Sequence, residues 1–482
     1  MIFYIVAIAT LFVEVVMCRI FTLLIVSVLF SAVSCFGETF TVDDDGPADF
    51  STINDAINYA WHGDTVEVQP GTYNESVYYN GLAIKITSSD PTNPEIVATT
   101  IINVGQGIDA VVFDFLEDND SVLTGFTVTG KRGIYCNNTS PTIIGNVIKN
   151  CVDGGIIGCG GPIEGNQILN NGNANLGYGG GLYDCDGPIQ NNVISGNIVQ
   201  RNGGGLCRCD GPIQDNIISG NITFYNGISY GGAGLYDCDG LIQNNIISGN
   251  IAGNVGVGGG SGGGLCLCRG TIQNNTIVGN RANRGGGIYD CYAYVKNNII
   301  AFNKAADANG GGVYNCSQTS YNVFWENDGG NFGGSSYGKE GDFFRNPLFA
   351  VDGYWDEKGT PEDITDDVWH DGDYHLKSGA GRWDGDAWVL DDQTSRCIDM
   401  GDLDSDVLYE PGPNGDRINL GAYGGTSLAS KSLLGVGNPE VHCVSYPRSD
   451  ANEDCKVDLL DLTILAAEWM MCNLEPVSAC AD

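Results

Sequence analysis

The stretch that decides the fold is GGGLYDCDGPIQNNVISGN at residues 179–197, because nearly the same string returns twice further along. It reappears as GGGLCRCDGPIQDNIISGN at 203–221 and as GAGLYDCDGLIQNNIISGN at 232–250. One cysteine follows the glycine-rich run in each unit, and eight such cysteines are Cys136, Cys159, Cys185, Cys209, Cys238, Cys268, Cys291 and Cys316. Self-similarity at a period of a few dozen residues is typical of stacked supersecondary units.

Two asparagine series keep step with these cysteines. The first consists of Asn166, Asn192, Asn216, Asn245, Asn275 and Asn298, and the second of Asn171, Asn197, Asn221, Asn250, Asn280 and Asn303. Each unit holds only short apolar runs separated by turn signals such as Asp-Gly and Gly-Asn, which predicts three short strands per unit. One unit is therefore one coil of a parallel β-helix. In such a stack identical side chains lie about 4.8 Å apart and form ladders, so we expect bonded asparagines and mostly buried, unpaired thiols.

An amphipathic helix is predicted ahead of the first coil. Ser51–Ala60 places Ile53, Ala56, Ile57 and Ala60 on one helical face, and such a helix would cover the open edge of the first coil. DFSTINDAINYAWHGDTVEVQPGTY (49–73), the repeated coils, and the segment from NPLFAVDG to RINLGAYGGT (346–426) resemble right-handed β-helix proteins of the pectate lyase-like superfamily. The resemblance implies the fold and a closing segment. It selects no activity, because the superfamily holds lyases, hydrolases, esterases and non-enzymes.

The chain divides into four predicted parts. Residues 1–37 form a signal peptide, 38–335 the β-helix with its N-terminal cap, 336–435 an acidic closing segment, and 436–482 a small α-helical module. The start is apolar and nearly uncharged and ends in small residues, which predicts a cleaved signal and a secreted or cell-surface protein without a later membrane span. A membrane anchor at residues 1–37 remains the alternative.

Charge excludes one class of ligand. The formal net charge is −37, whereas acidic and basic residues balance within the coils. Binding a phosphate backbone requires a basic face, so nucleic acid is not an expected partner.

The last segment carries a calcium motif in DANEDCKVDLLDLTILAAEWM at 450–470. Side chains at positions 1, 3, 5, 9 and 12 and a backbone carbonyl at position 7 supply the hard oxygens that Ca²⁺ prefers. The predicted ligands are Asp450, Asn452, Asp454, Lys456 (through its carbonyl), Asp458 and Asp461. The motif resembles a dockerin-type repeat, which implies Ca²⁺ as cofactor and a cohesin-like or other surface protein as partner. It departs from that pattern because Cys455 replaces the turn glycine and because one loop is visible instead of two.

The candidate catalytic groups form an acidic stripe beside the ladder cysteines. Its members are Asp184, Asp186, Asp210, Asp237, Asp239 and Asp290. Paired carboxylates can hydrolyse glycosides, but Asp-Gly is also favoured turn chemistry, and the recurrence of these aspartates favours a structural role. Arg208 and Arg269 interrupt the stripe without a recognised lyase motif. Three hypotheses therefore remain open: a non-catalytic scaffold or glycan-binding protein, a polysaccharide lyase or glycoside hydrolase, and an autotransporter passenger. The third is disfavoured, because no run of ten-residue alternating strands follows residue 350.

Overall fold

The computed structural model describes residues 37–224, 231–253, 259–306, 309–358 and 367–432. Within these ranges the chain is almost entirely β-structure, and most strands belong to three long parallel sheets. Each coil contributes a strand to the first, the second and then the third sheet before the chain moves to the next coil. This arrangement confirms the predicted parallel β-helix.

The strands of the three sheets stack in chain order. The first sheet consists of Thr39–Val42, Thr65–Val68, Lys85–Ser88, Val122–Thr124, Thr142–Ile144, Ile163–Glu164, Ile189–Gln190, Ile213–Gln214, Leu241–Gln243, Thr271–Gln273, Tyr294–Lys296 and Thr319–Ser320. The second consists of Gly71–Tyr73, Thr100–Asn103, Thr127–Thr129, Val147–Lys149, Gln167–Leu169, Val193–Ser195, Ile217–Ser219, Ile246–Ser248, Thr276–Val278, Ile299–Ala301 and Val323–Trp325. The third consists of Val77–Tyr78, Val111–Phe113, Ile134–Thr139, Ile156–Cys159, Leu182–Tyr183, Leu206–Cys207, Leu235–Tyr236, Leu265–Cys266, Ile288–Tyr289, Val313–Tyr314 and Phe332–Gly333. A short fourth sheet follows the second in four coils and consists of Ile198–Val199, Ile222–Thr223, Ile251–Ala252 and Arg281–Ala282.

Two short helices interrupt the coils. Helix α1 spans Ile53–Tyr59, begins where the Thr52 hydroxyl accepts the backbone N–H of Asp55, and buries Ile53, Ala56 and Ile57. Helix α2 spans Pro94–Thr99 and lies before a strand of the second sheet. Neither is long and apolar enough to cross a bilayer, and no other helix occurs in the described ranges. The capping role of α1 stays a prediction.

Both asparagine series form continuous hydrogen-bonded ladders inside the coils. The Asn192 side chain donates to Oδ1 of Asn216 at 3.0 Å and to the carbonyl of Ile163 at 2.9 Å, and the same contacts recur coil after coil. These amides are almost completely buried, so each needs its partners within the stack. The first ladder extends beyond the predicted members, to Asn146 at one end and to Asn322 and Asp342 at the other.

The ladder cysteines line the interior next to the aliphatic core. All twelve cysteines in the described ranges are buried and free, which confirms the prediction of unpaired thiols for that part of the chain. Each ladder thiol from Cys185 onward lies near the carbonyl two residues earlier, as Cys238 does at 3.4 Å from the oxygen of Tyr236. A small, burial-tolerant side chain thus fills the corner between the third and the first sheet.

The closing segment turns back onto the coils. Its strands pair as three antiparallel hairpins, consisting of Phe349–Val351 with Asp373–Leu376, Tyr354–Asp356 with Val368–His370, and Arg382–Trp383 with Trp388–Val389. Phe349, Ile398 and Leu420 pack on Val278 and Ile299, which face outward from the second sheet. The segment therefore covers the later coils of the second sheet. It meets the third sheet at that sheet's last strand, where the ring of Phe344 lies 6.0 Å from that of Phe332.

Candidate functional site

The outward face of the third sheet carries a column of tyrosines. Between the strands Ile134–Thr139 and Val313–Tyr314, the in-register outward positions are Tyr135, Ile157, Tyr183, Cys207, Tyr236, Cys266, Tyr289 and Tyr314. The inward neighbours, such as Leu182 and Leu235, are fully buried in the core, whereas the tyrosines are half-buried. Burial raises the pKa of Tyr236 to about 12, so its hydroxyl stays protonated and can both donate and accept a hydrogen bond at neutral pH.

Three predicted stripe residues lie in the turn that follows these strands. Asp184, Asp237 and Asp290 occupy a left-handed backbone position, with φ of 57°, 52° and 51°. Aspartate and asparagine tolerate this conformation better than other residues with side chains, which explains their recurrence there. Arg208 and Leu267 hold the same position in the intervening coils, with φ of 56° and 61°. The acidic residues at this position are therefore favoured by the turn without being required by it.

The remaining stripe residues form a second column on the other side of the ladder cysteines. The backbone N–H of Asp210 donates to Asp186 at 3.2 Å, and that of Asp239 donates to Asp210 at 3.0 Å. The backbone N–H of Arg269 continues the series to Asp239 at 3.1 Å. These carboxylates therefore act as acceptors that tie one coil to the next.

Two arginines neutralise part of the stripe. Arg269 lies 3.1 Å from Asp239 and 3.7 Å from Asp237. Arg208 lies 4.0 Å from Asp184 and donates to the hydroxyl of Tyr183 at 3.1 Å. Partial burial raises the pKa of Asp237, while Arg269 opposes that shift. Both guanidinium groups are largely exposed, so these pairs orient side chains more than they stabilise the fold.

The tyrosine column opens at Tyr135 into a pocket formed by an irregularity of the third sheet. The strand Ile134–Thr139 shifts register against Ile156–Cys159, and this irregularity pushes Asn137 and Asn138 to the surface. The resulting cavity has a volume of about 440 Å³. Its polar lining includes Tyr135, Asn137, Asn138, Ser140, Asp184 and Asp186. Register shifts of this kind often re-aim side chains near binding sites, and we refer to this cavity as the bulge pocket.

The sequence-predicted site residues thus separate into distinct places. Asp184 and Asp186 meet at the bulge pocket, whereas Asp210, Asp237 and Asp239 continue along the stripe. The six predicted calcium ligands lie outside the described residues. The sequence interpretation missed the tyrosine column, although the alternation of LYDC with LCRC and LCLC was visible in the repeats. It also missed Asn137 and Asn138, because nothing in their local sequence marks a bulge.

Comparison with known proteins gives little further guidance. No protein-family model matches the chain, and no curated protein matches it. Among solved structures, the crystal structure of pectate lyase Pel9A aligns with a TM-score of 0.39 and 16% sequence identity. That alignment covers 82% of this chain and 97% of the other.

Proposed function

We propose that this chain is an exported polysaccharide-binding β-helix protein whose binding surface is the outward face of the third sheet. The observation that carries the proposal is the continuity of the tyrosine column with the bulge pocket. Aromatic rings offer apolar faces to the C–H groups of a pyranose, while carboxylates, amides and hydroxyls bind its hydroxyl groups. Both kinds of group lie along one surface here, with tyrosines on the strands and Asp184 and Asp186 at the turn.

Binding without cleavage is the function that the hydrogen bonds favour. Asp186, Asp210 and Asp239 each accept a hydrogen bond from a backbone N–H of the next coil. Their carboxylates therefore already stabilise the stacking of the coils. A general acid or base needs a carboxyl group available to the substrate proton. The arrangement supports a scaffold that holds a glycan along the coils.

A second candidate function is a polysaccharide lyase or glycoside hydrolase acting at the bulge pocket. Asp184 and Asp186 line the same cavity, and Arg208 lies 4.0 Å from Asp184. Reducing-sugar release and unsaturated-product absorbance over a polysaccharide panel test this function. Turnover that falls a hundredfold or more in Asp184→Asn would establish catalysis, because that is the order of a lost general acid or base. Absence of turnover across the panel favours binding alone.

The proposal for binding has a direct test. Affinity electrophoresis of the mature chain in gels containing single polysaccharides measures retardation without assuming a linkage. Tyr183→Ala should weaken binding to the retained glycan by about tenfold, or ~1.4 kcal/mol, through loss of one aromatic contact. Tyr294→Ala is the matched control, because Tyr294 is an exposed tyrosine on the first sheet. If Tyr183→Ala and Tyr294→Ala changed the glycan affinity equally, the third sheet would not be the binding surface.

Export and assembly complete the proposal and rest on the sequence. The nearly uncharged start supports removal of residues 1–37 and release to the cell surface or medium, with α1 covering the first coil. The motif at 450–470 supports a Ca²⁺-dependent module that attaches the β-helix to a cohesin-like or other surface protein. N-terminal sequencing of secreted protein tests export, and a start at Met1 or Met17 would contradict it.

A further inference from the structure

The tyrosine column has a period of two coils, whereas the aliphatic, cysteine and asparagine ladders have a period of one. Tyr135, Tyr183, Tyr236 and Tyr289 face outward on alternate coils. The intervening positions hold Ile157, Cys207 and Cys266. The aliphatic, cysteine and asparagine ladders need one member per coil, so a doubled period contributes nothing to them.

The turn repeats the same alternation. Asp184, Asp237 and Asp290 directly follow the outward tyrosines, whereas Arg208 and Leu267 follow the outward cysteines. The surface therefore presents three tyrosine–aspartate dyads, consisting of Tyr183–Asp184, Tyr236–Asp237 and Tyr289–Asp290. Two side chains of different chemistry share one doubled period over five consecutive coils.

At one pair of coils the packing permits tyrosine at successive positions. Tyr289 and Tyr314 occupy adjacent coils and stack with their ring centroids 5.5 Å apart and their planes at 13°. The third sheet therefore accepts tyrosine on successive coils without disruption. The left-handed turn position likewise would favour aspartate over Arg208 and Leu267. The fold can accept tyrosine on successive strands and aspartate at successive turns. The two-coil period therefore points to a bound ligand that repeats every two coils.

A ligand that repeats every two coils must match a spacing of about 9.6 Å, twice the ~4.8 Å between neighbouring strands. In an extended β-1,4-linked hexose chain each ring advances by roughly one coil and is turned half a revolution from the ring before. The same edge of the sugar therefore returns at every second ring. A glycan with three-fold screw symmetry presents the same edge at every third ring. Its repeat therefore does not match the two-coil spacing of the dyads.

The charge of the surface further limits the class of glycan that can bind. Six aspartates accompany two arginines along the stripe, so the stripe itself is acidic although charge balances over the coils as a whole. Such a surface repels a polyanion, whereas its carboxylates accept hydrogen bonds from neutral hydroxyl groups. Deepening the proposed function, on which this inference rests, we infer that the third sheet binds an uncharged, extended β-1,4-linked glycan. The glycan lies parallel to the helix axis with one disaccharide per dyad.

Calorimetry of the mature chain with cello-oligosaccharides tests the period. The affinity should rise about tenfold from cellobiose to cellotetraose and again to cellohexaose, since each pair of rings reaches another dyad. Cellopentaose should bind much like cellotetraose. An equal gain for every added ring would overturn the two-coil match.

Substitutions in one dyad test whether the ligand binds there. Tyr236→Ala and Asp237→Asn should each reduce the affinity for cellohexaose about tenfold, while Tyr294→Ala leaves it unchanged. Asparagine keeps the left-handed turn, so Asp237→Asn remains informative if Tyr236→Ala fails to fold. Unchanged affinity in both dyad variants would overturn the inference.

The ligand panel separates the two proposals. Binding to a β-1,3-glucan or polygalacturonate, sensitive to Tyr236→Ala and absent with cellohexaose, would overturn this inference and leave the proposed function standing. Absence of binding to every glycan in the panel would overturn both.

Discussion

Asn216 donates twice to Oδ1 of Asn245, from its side-chain amide and from its backbone N–H, both at 3.0 Å. Its own Oδ1 accepts the equivalent pair from Asn192. One side chain in each coil therefore satisfies backbone and side-chain groups of its neighbours. This reciprocity makes the ladder a continuous buried network in which the loss of one member leaves several groups without partners.

Replacing Asn216 by alanine should lower the free energy of unfolding by about 3 kcal/mol. The substitution leaves two buried donors of Asn192 without their acceptor and removes one donor from the carbonyl of Ile189. Urea denaturation followed by circular dichroism measures the change. Asn175→Ala is the control, because Asn175 is exposed in a loop and should change stability by less than about 0.5 kcal/mol. Similar losses in the two variants would contradict a stabilising role for the ladder.

Glu410 should make the stability of the closing segment depend on pH. Its carboxylate accepts the backbone N–H groups of Asn419 and Gly425, both at 2.8 Å, but its other oxygen is buried without a partner. Burial outweighs these hydrogen bonds and raises the pKa of Glu410 from 4.5 to about 7. The protonated form is therefore favoured by folding, so its contribution is complete below about pH 4.5 and is lost as the pH rises through 7.

The replacement Glu410→Gln removes this titration. Between pH 5 and pH 8 the wild type should lose up to about 3 kcal/mol of unfolding free energy relative to Glu410→Gln. Denaturation curves at a series of pH values measure the difference. Glu340→Gln, at an exposed position, is the control and should run parallel to the wild type. A wild type parallel to Glu410→Gln would show that Glu410 titrates alike in the folded and unfolded chain.

The buried pair of Arg281 and Asp367 should anchor the closing segment to the coils. Both side chains are about 5% exposed or less, and the guanidinium lies 3.7 Å from the ring centroid of Trp355. Arg281→Met leaves the buried carboxylate of Asp367 without its cation, so we expect the free energy of unfolding to fall by about 3–5 kcal/mol. Lys304→Met breaks the exposed pair with Asp328 and should cost about 1 kcal/mol or less. Equal losses of unfolding free energy in Arg281→Met and Lys304→Met would mean that the carboxylate of Asp367 is not buried against Arg281.

The predicted calcium loop should bind one Ca²⁺ through Asp450, Asp461 and the other four ligands. Its four carboxylates repel one another without a cation, so removing two of them weakens the site strongly. Calorimetry of the mature chain should show a binding heat that the double substitution Asp450→Ala and Asp461→Ala abolishes. Glu453→Ala changes a charge at a non-ligating position of the same loop and should preserve that heat. Loss of binding in Glu453→Ala alone would disprove the proposed ligand set.

The sequence by itself determined the coils. A cysteine and two asparagines recurring in phase predict in-register strands, because each residue of a stack meets its counterpart in the next coil. The ladders through Cys209, Asn216 and Asn221 follow that prediction residue by residue. Repetition along one axis makes such contacts readable from spacing alone.

Only the tertiary structure decided where the repeat is broken and what its surface offers. The bulge pocket joins Asn137 and Asn138 to Asp184 and Asp186 across two coils. The closing segment buries Glu410 beside a loop that Asn244 of the coils contacts. These contacts depend on a register shift and on a non-repeating segment, neither of which leaves a periodic signal in the chain. A periodic sequence fixes neighbours through the stacking of identical units, whereas non-periodic contacts arise only when the whole chain is packed.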